Sequence, residues 1–319
     1  MDMGRQAQIL NELGFRETAR ATKASWSTIK RVNAEIMKLE PPKVRFAIPG
    51  LGSLAQGLLA PDSDVEFASM VTSRKNLKKV DNWTHQLATS LRLLGLPVQK
   101  ERCGKDALGR PFEGLEGHCH CCTHFMRTDT SKPRIHAIYK ANLVPILCLS
   151  YPLYETAPGL ARSQIVSIWK YIEETRGEES LPYFYNLLIQ EYYTSNREGE
   201  LKRLKLERDK TVRSIVVLHL SLFGSRSVGE FKVPAYLIKE ISEELPTRRG
   251  DDLSEASIAW FDNYFRLRKA IVAKTTESLR FLKWVHEFLA AQQRIRDLSH
   301  EWARRRGWPL LPLSDIVDQ

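Results

Sequence analysis

The chain has 319 residues, 43% hydrophobic and 27% charged, which is ordinary for a globular protein and enough for two or three compact units without disulfide or metal staples. No stretch approaches the roughly 20 consecutive apolar residues of a membrane span, and Met1-Asp2-Met3-Gly4-Arg5 lacks the apolar core of a signal peptide, so a cytoplasmic protein that avoids membranes is expected. A formal net charge of +10 favours a polyanionic partner, such as nucleic acid, a nucleotide or an anionic membrane face, without choosing among them. The five cysteines (103, 119, 121, 122, 148) are odd in number and crowded, which fits reduced thiols rather than a disulfide framework.

Gln6 to Leu39 reads as helical. Ile9, Leu10, Leu13 and Phe15 form an apolar stripe that Gly14 interrupts, and Ala19 to Thr22 start a second short helix. The stretch TARATKASWSTIKRVNAEI then resembles the helix-turn-helix of transcription regulators and resolvases, with Lys23 where a turn glycine is usual. By that resemblance Ser25 caps the recognition helix, Ile29 and Val32 face inward, and Trp26, Lys30 and Arg31 are the candidate nucleic-acid contacts. The plainer alternative is a helical pair packed on the domain that follows. Pro41-Pro42 marks the boundary, which sets residues 1–40 apart.

Val44 to Ile48 is an apolar run leading into Gly-Leu-Gly-Ser, and after Gly57 the run Asp-Ser-Asp-Val-Glu-Phe restores strand alternation. Positions i and i+2 of a strand share a face, so Asp64 and Glu66 would stand side by side. Two neighbouring carboxylates repel unless a cation lies between them, and Mg²⁺ prefers such hard oxygen ligands. Gly52 and Ser53 offer what a phosphate needs: close backbone approach, N–H donors and a hydroxyl.

A Gly-Ser pair separated by ten residues from Asp-x-Glu, with Gly57 and Pro61-Asp62-Ser63 between, resembles the signature of the polymerase β-type nucleotidyltransferases. That resemblance implies an α+β core with a small mixed sheet, an NTP substrate anchored by Gly52 and Ser53, and Mg²⁺ (or Mn²⁺) held by Asp64 and Glu66 as catalytic carboxylates. The chain departs from the family pattern at three points. Gln56 replaces a frequent basic residue, Glu66 replaces a second Asp, and neither His118 to Phe125 nor Arg134 to Tyr139, where a third carboxylate is expected, contains an acid. The nearest acids are Glu113 and Glu116, so Glu116 is the third candidate. Alternatively His120 or His136 fills the position, which suits a softer metal such as Mn²⁺.

After Ser73 to Lys79, a basic connector, a helix is expected from about Val80 to Leu94, with Trp83, Leu87, Leu91 and Leu94 on one face and Gly95-Leu96-Pro97 ending it. Strands are expected at Val98 to Cys103, Gly117 to Phe125, Arg134 to Lys140 and the run LVPILCLSYPLYE. In GHCHCCTHF, an extended chain puts His118, His120, Cys122 and His124 on one face. Those four span about 20 Å, too far for one tetrahedral zinc, so a site there needs ligands from elsewhere.

Beyond Pro158 the periodicity is helical throughout. Ile165, Ile168, Trp169 and Ile172 make one stripe and Leu187, Leu188, Tyr192 and Tyr193 another, while Val216 to Leu222 is apolar enough to be buried. Trp260, Tyr264 and Phe265 interleave with Arg266, Arg268 and Lys269, either as a stacking surface for nucleic acid or as a core stripe beside a solvated basic face. Arg213-x5-His219 and Arg294-x5-His300 formally fit the Arg-x(4–6)-His pattern of HEPN-type ribonucleases. The expectation is an N-terminal helical segment (1–40), a nucleotidyltransferase core (41–157) and an all-α domain (158–319). The expected activity moves an NMP from an NTP to an acceptor hydroxyl of RNA, protein or a small molecule; the alternative is a DNA- or RNA-binding regulator or scaffold with a degenerate core.

Overall fold

The computed structural model describes residues 1–67, 69–71, 73–98, 123–125, 149–179 and 199–308. It is mostly helical with one small sheet, a composition compatible with α+β. Two compact units form, and they do not follow three consecutive segments. A sheet unit comprises Ala21–Gly177 with Val228–Lys232, and a helical unit comprises Met1–Arg20, Glu178–Ser227 and Val233–Gln319.

In the sheet unit the central strand is β1 (Phe46–Leu51), buried along its whole length. It pairs antiparallel with β2 (Glu66–Phe67) and β3 (Ser69–Val71), with Leu51 opposite Glu66 and Phe46 opposite Val71. Two further strands complete the sheet: β4 (Thr123–Phe125) runs parallel to β3, and β5 (Tyr151–Glu155) pairs antiparallel with β1. A strand buried on both faces reads as a continuous apolar run, which is why Phe46-Ala47-Ile48 shows no alternation.

Helix α2 (Arg16–Lys38) is continuous, and this corrects the helix-turn-helix expectation. No Gly or Pro interrupts Arg16 to Lys38, and the stretch is rich in Ala, Lys and Arg, which favour helix. Ser25 does not cap a new helix; its hydroxyl donates to the Ala21 carbonyl at 3.0 Å, one turn back within the same helix. Ile29, Val32 and Ile36 do face the core. Helix α4 (Leu77–Leu93) buries Val80, Trp83, Leu87 and Leu91, while Leu94 lies past its end and is exposed. Glu155 starts helix α5 (Leu160–Arg176), its carboxylate accepting from the Gly159 and Ala161 amides at 3.0 and 2.6 Å.

The helical unit contains α1 (Met3–Glu12), α6 (Glu200–Phe223), α7 (Pro234–Glu244), α8 (Thr247–Val272) and α9 (Leu279–Arg305). Helices α8 and α9 pair antiparallel, Arg249 bonding Glu301 at one end and Asn263 bonding Glu287 nearer the connecting turn. The face α1 buries is Met3, Gln6, Ala7 and Leu10, whereas Leu13 is exposed, so the expected stripe was rotated. Gln6 can be buried because its carbonyl oxygen accepts the Val233 amide at 2.9 Å. Trp260, Tyr264 and Phe265 are buried, so the interleaved aromatics are core and not a stacking surface. Within α6, Arg208 and Arg213 are buried.

Candidate functional site

Strand β1 delivers the chain to Gly52, which adopts φ +56° and opens α3 (Gly52–Ala55), a single helical turn. The Gln56 and Leu58 amides close that turn on the Gly52 and Ser53 carbonyls at 3.0 and 2.9 Å. A Cβ at Gly52 would lie 1.8 Å from Oε2 of Glu66, so the carboxylate occupies the space that any other residue's side chain would fill. Glycine is favoured at this position both by its backbone angle and by that approach. The antiparallel register of Leu51 with Glu66 produces the contact, so the Gly-Ser turn and the acidic strand meet as the spacing predicts.

Asp64 precedes β2. Ser63, Val65 and Phe67 are buried while Asp64 and Glu66 are partly exposed, the period of two that places both acids on one side. The Val65 amide donates to the Pro97 carbonyl at 2.8 Å, holding the approach to β2. Ser63 closes the Pro61-Asp62 turn, donating its amide to the Ala60 carbonyl at 2.9 Å and accepting the Ala60 amide on its hydroxyl at 3.0 Å. From α2, Thr22 donates to the Gly57 carbonyl at 3.1 Å and Ser25 accepts the Leu59 amide at 3.4 Å. The helix read as a DNA reader thus steadies the loop behind the Gly-Ser turn.

The other candidates are placed differently. The ring of Trp26 packs edge-on against Tyr151 at 6.2 Å, and the Lys30 ammonium lies 5.2 Å from the Trp26 centroid. Arg31 donates to the Leu94 carbonyl at 3.4 Å. Lys30 and Arg31 are exposed on α2, which has no turn to start a separate recognition helix. Glu116, His120, His136, the five cysteines and most of the His/Cys-rich run lie outside the described residues. Among the described residues no three of His, Cys, Asp and Glu converge. The carboxylates of Asp64 and Glu66 and the Ser53 hydroxyl are hard oxygen donors, which suit Mg²⁺ better than zinc.

The first HEPN-type pair does not form an accessible site for a phosphate. Arg213 and His219 are both buried, His219 bonding Ser227 Oγ at 2.9 Å and Glu240 Oε2 at 3.0 Å. At the second pair, burial pushes the His300 imidazole below its ordinary pKa, and Arg296 and Arg304, one turn to either side, lower it further against the opposing pull of Asp297. Below the ordinary value of about 6.5 the unfolded chain takes up a proton that the folded state resists, so stability falls toward acid and is retained above it. Urea midpoints at pH 7 and pH 5 should therefore differ less in His300→Gln than in the intact protein.

Sequence reasoning missed Tyr151 and Phe231. Tyr151 sat unremarked in an apolar strand, and Phe231 carries no pattern, yet its φ of +53° is an outlier for a bulky side chain. No protein-family model matches the chain, and no curated protein matches it.

Proposed function

We propose that the sheet unit is a metal-dependent nucleotidyltransferase that moves an NMP from an NTP to an acceptor hydroxyl on RNA, a protein or a small molecule. The observation that carries this reading is the Glu66 carboxylate seated over the α-carbon of Gly52. It sets one of the two acids proposed to hold a triphosphate's counter-ion against a turn of the kind that holds phosphate.

In this reading Gly52 and Ser53 take the β- and γ-phosphates through backbone N–H groups and the Ser53 hydroxyl. Asp64 and Glu66 orient the triphosphate by holding its Mg²⁺ (or Mn²⁺). Bound there, the metal neutralises charge on the α-phosphate and on the departing pyrophosphate. The acceptor hydroxyl forms its O–P bond to the α-phosphorus as the bridging bond to pyrophosphate breaks, its proton passing to solvent, and Thr22 and Ser25 keep the loop behind the turn in place. Among the described residues no helix is long and apolar enough to cross a membrane.

Equilibrium dialysis of each NTP with and without Mg²⁺ tests the proposal. The intact protein should bind at least one NTP in a metal-dependent manner, and Asp64→Ala/Glu66→Ala should weaken that binding by at least about 100-fold. Metal-independent binding, or equal binding by the double variant, would move the reading to a regulator or scaffold.

A further inference from the structure

The end of β1 is flanked on both sides. Glu66 stands opposite Leu51 on one neighbouring strand, and Tyr151 stands opposite Gly50 on the other, two residues from Gly52. Tyr151 belongs to an aromatic row, packing edge-on with Trp26 at 6.2 Å and with Phe231 at 6.4 Å. Phe231 packs in turn against Ala47, Leu160 and Ala161, where α5 crosses β1. The row is therefore built into the sheet unit's core at one end, while Trp26 at the other end is only half-buried.

Helix α2 fixes where Trp26 sits. Its neighbours Thr22 and Ser25 bond the loop at Gly57 and Leu59, immediately after the Gly-Ser turn. The ring is consequently tied on one side to the turn's own loop and on the other to the strand beside Gly50. The Lys30 ammonium lies over the ring, and that lysine is exposed. A cation over an indole marks a face that attracts a positive edge or a flat, polarised ring. Strain points the same way, since an aromatic residue at φ +53° persists only where its surroundings hold it.

We propose that Trp26, backed by Tyr151 and Phe231, is the nucleobase-stacking wall of the nucleotidyltransferase site, a reading that rests on the function proposed above. The ligand class is a nucleoside triphosphate whose base lies on the Trp26 ring in place of the Lys30 ammonium, while its phosphates meet Gly52 and Ser53. Lys30 then lies at the base's edge, where its donors reach ring nitrogens or exocyclic oxygens. Stacking alone accepts every base, so any preference among NTPs comes from Lys30 and not from Trp26.

The test compares each NTP with inorganic tripolyphosphate, both in Mg²⁺, by titration calorimetry on the full chain. The intact protein should bind at least one NTP about tenfold more tightly than tripolyphosphate. Trp26→Ala should erase that difference and leave tripolyphosphate binding unchanged, and Trp26→Phe should keep most of it. Equal binding of NTP and tripolyphosphate by the intact protein, or equal weakening of both by Trp26→Ala, overturns the stacking wall while leaving the phosphate site standing. Binding of neither compound overturns the nucleotidyltransferase reading and the wall together.

Discussion

Gly52→Ala is expected to lower nucleotidyl transfer by about 100-fold while costing only about 1–2 kcal/mol of stability. The added methyl would lie 1.8 Å from Oε2 of Glu66. It meets the far end of a flexible side chain, so the cheapest relief is for the carboxylate to swing away. The fold pays chiefly for an L-residue at φ +56°, whereas the site loses the position of the carboxylate proposed to hold the metal. Turnover of labelled NTP beside thermal denaturation separates the two effects. Equal loss of both would mean that Gly52 serves the fold alone, and no loss of turnover would remove Glu66 from the chemistry.

Trp260→Ala should have the largest effect on stability, about 3–5 kcal/mol, with a fall in Tm of roughly 10 °C. The side chain is fully buried in α8, with ring centroids 4.8 Å from Phe261, 6.0 Å from Tyr264 and 5.4 Å from Phe288. Its Nε1 is buried without a hydrogen bond, an offset that Trp260→Phe removes, so that variant should cost no more than about 1–2 kcal/mol. A surface used for stacking nucleic acid would behave differently: Trp260→Ala would leave Tm in place and weaken polyanion binding.

The meeting of Gly52 with Glu66 was legible because it depends on spacing. The ten residues between Ser53 and Asp64 are enough for a turn and return to β1, and the register of Leu51 with Glu66 follows from them. Helix α2 ends at Lys38, ahead of Pro41-Pro42, and α4 ends at Leu93, ahead of Gly95 at φ +75°: proline cannot continue a helix, and glycine admits the left-handed turn that closes one, whereas the division between the two units falls inside α2. Pattern failed where two segments far apart in sequence decide the outcome. Gln6 is buried because Val233, 227 residues later, presents an amide to it, and no local period encodes that contact. Met1–Arg20 shares its unit with the C-terminal helices, to which Phe15 also packs through Phe261 and Glu17 pairs through Lys269. The helix-turn-helix reading failed for a local reason: small alanines and a serine fit a tight crossing and a continuous helix equally well, and only a residue that breaks α2 would have separated them. The Trp26 to Phe231 row was invisible because its members come from a helix, a strand and a short connecting segment.

The most direct measurement is transfer itself. The purified protein is incubated with each α-labelled NTP, Mg²⁺ or Mn²⁺, and total RNA plus protein from a cell extract, with Asp64→Ala/Glu66→Ala alongside. Label on RNA or protein from the intact chain and none from the double variant is the predicted result, and it names both the nucleotide and the acceptor class. Transfer that survives in the double variant, or no transfer together with no metal-dependent NTP binding, would contradict the assignment of Gly52, Ser53, Asp64 and Glu66 as a nucleotidyltransferase site.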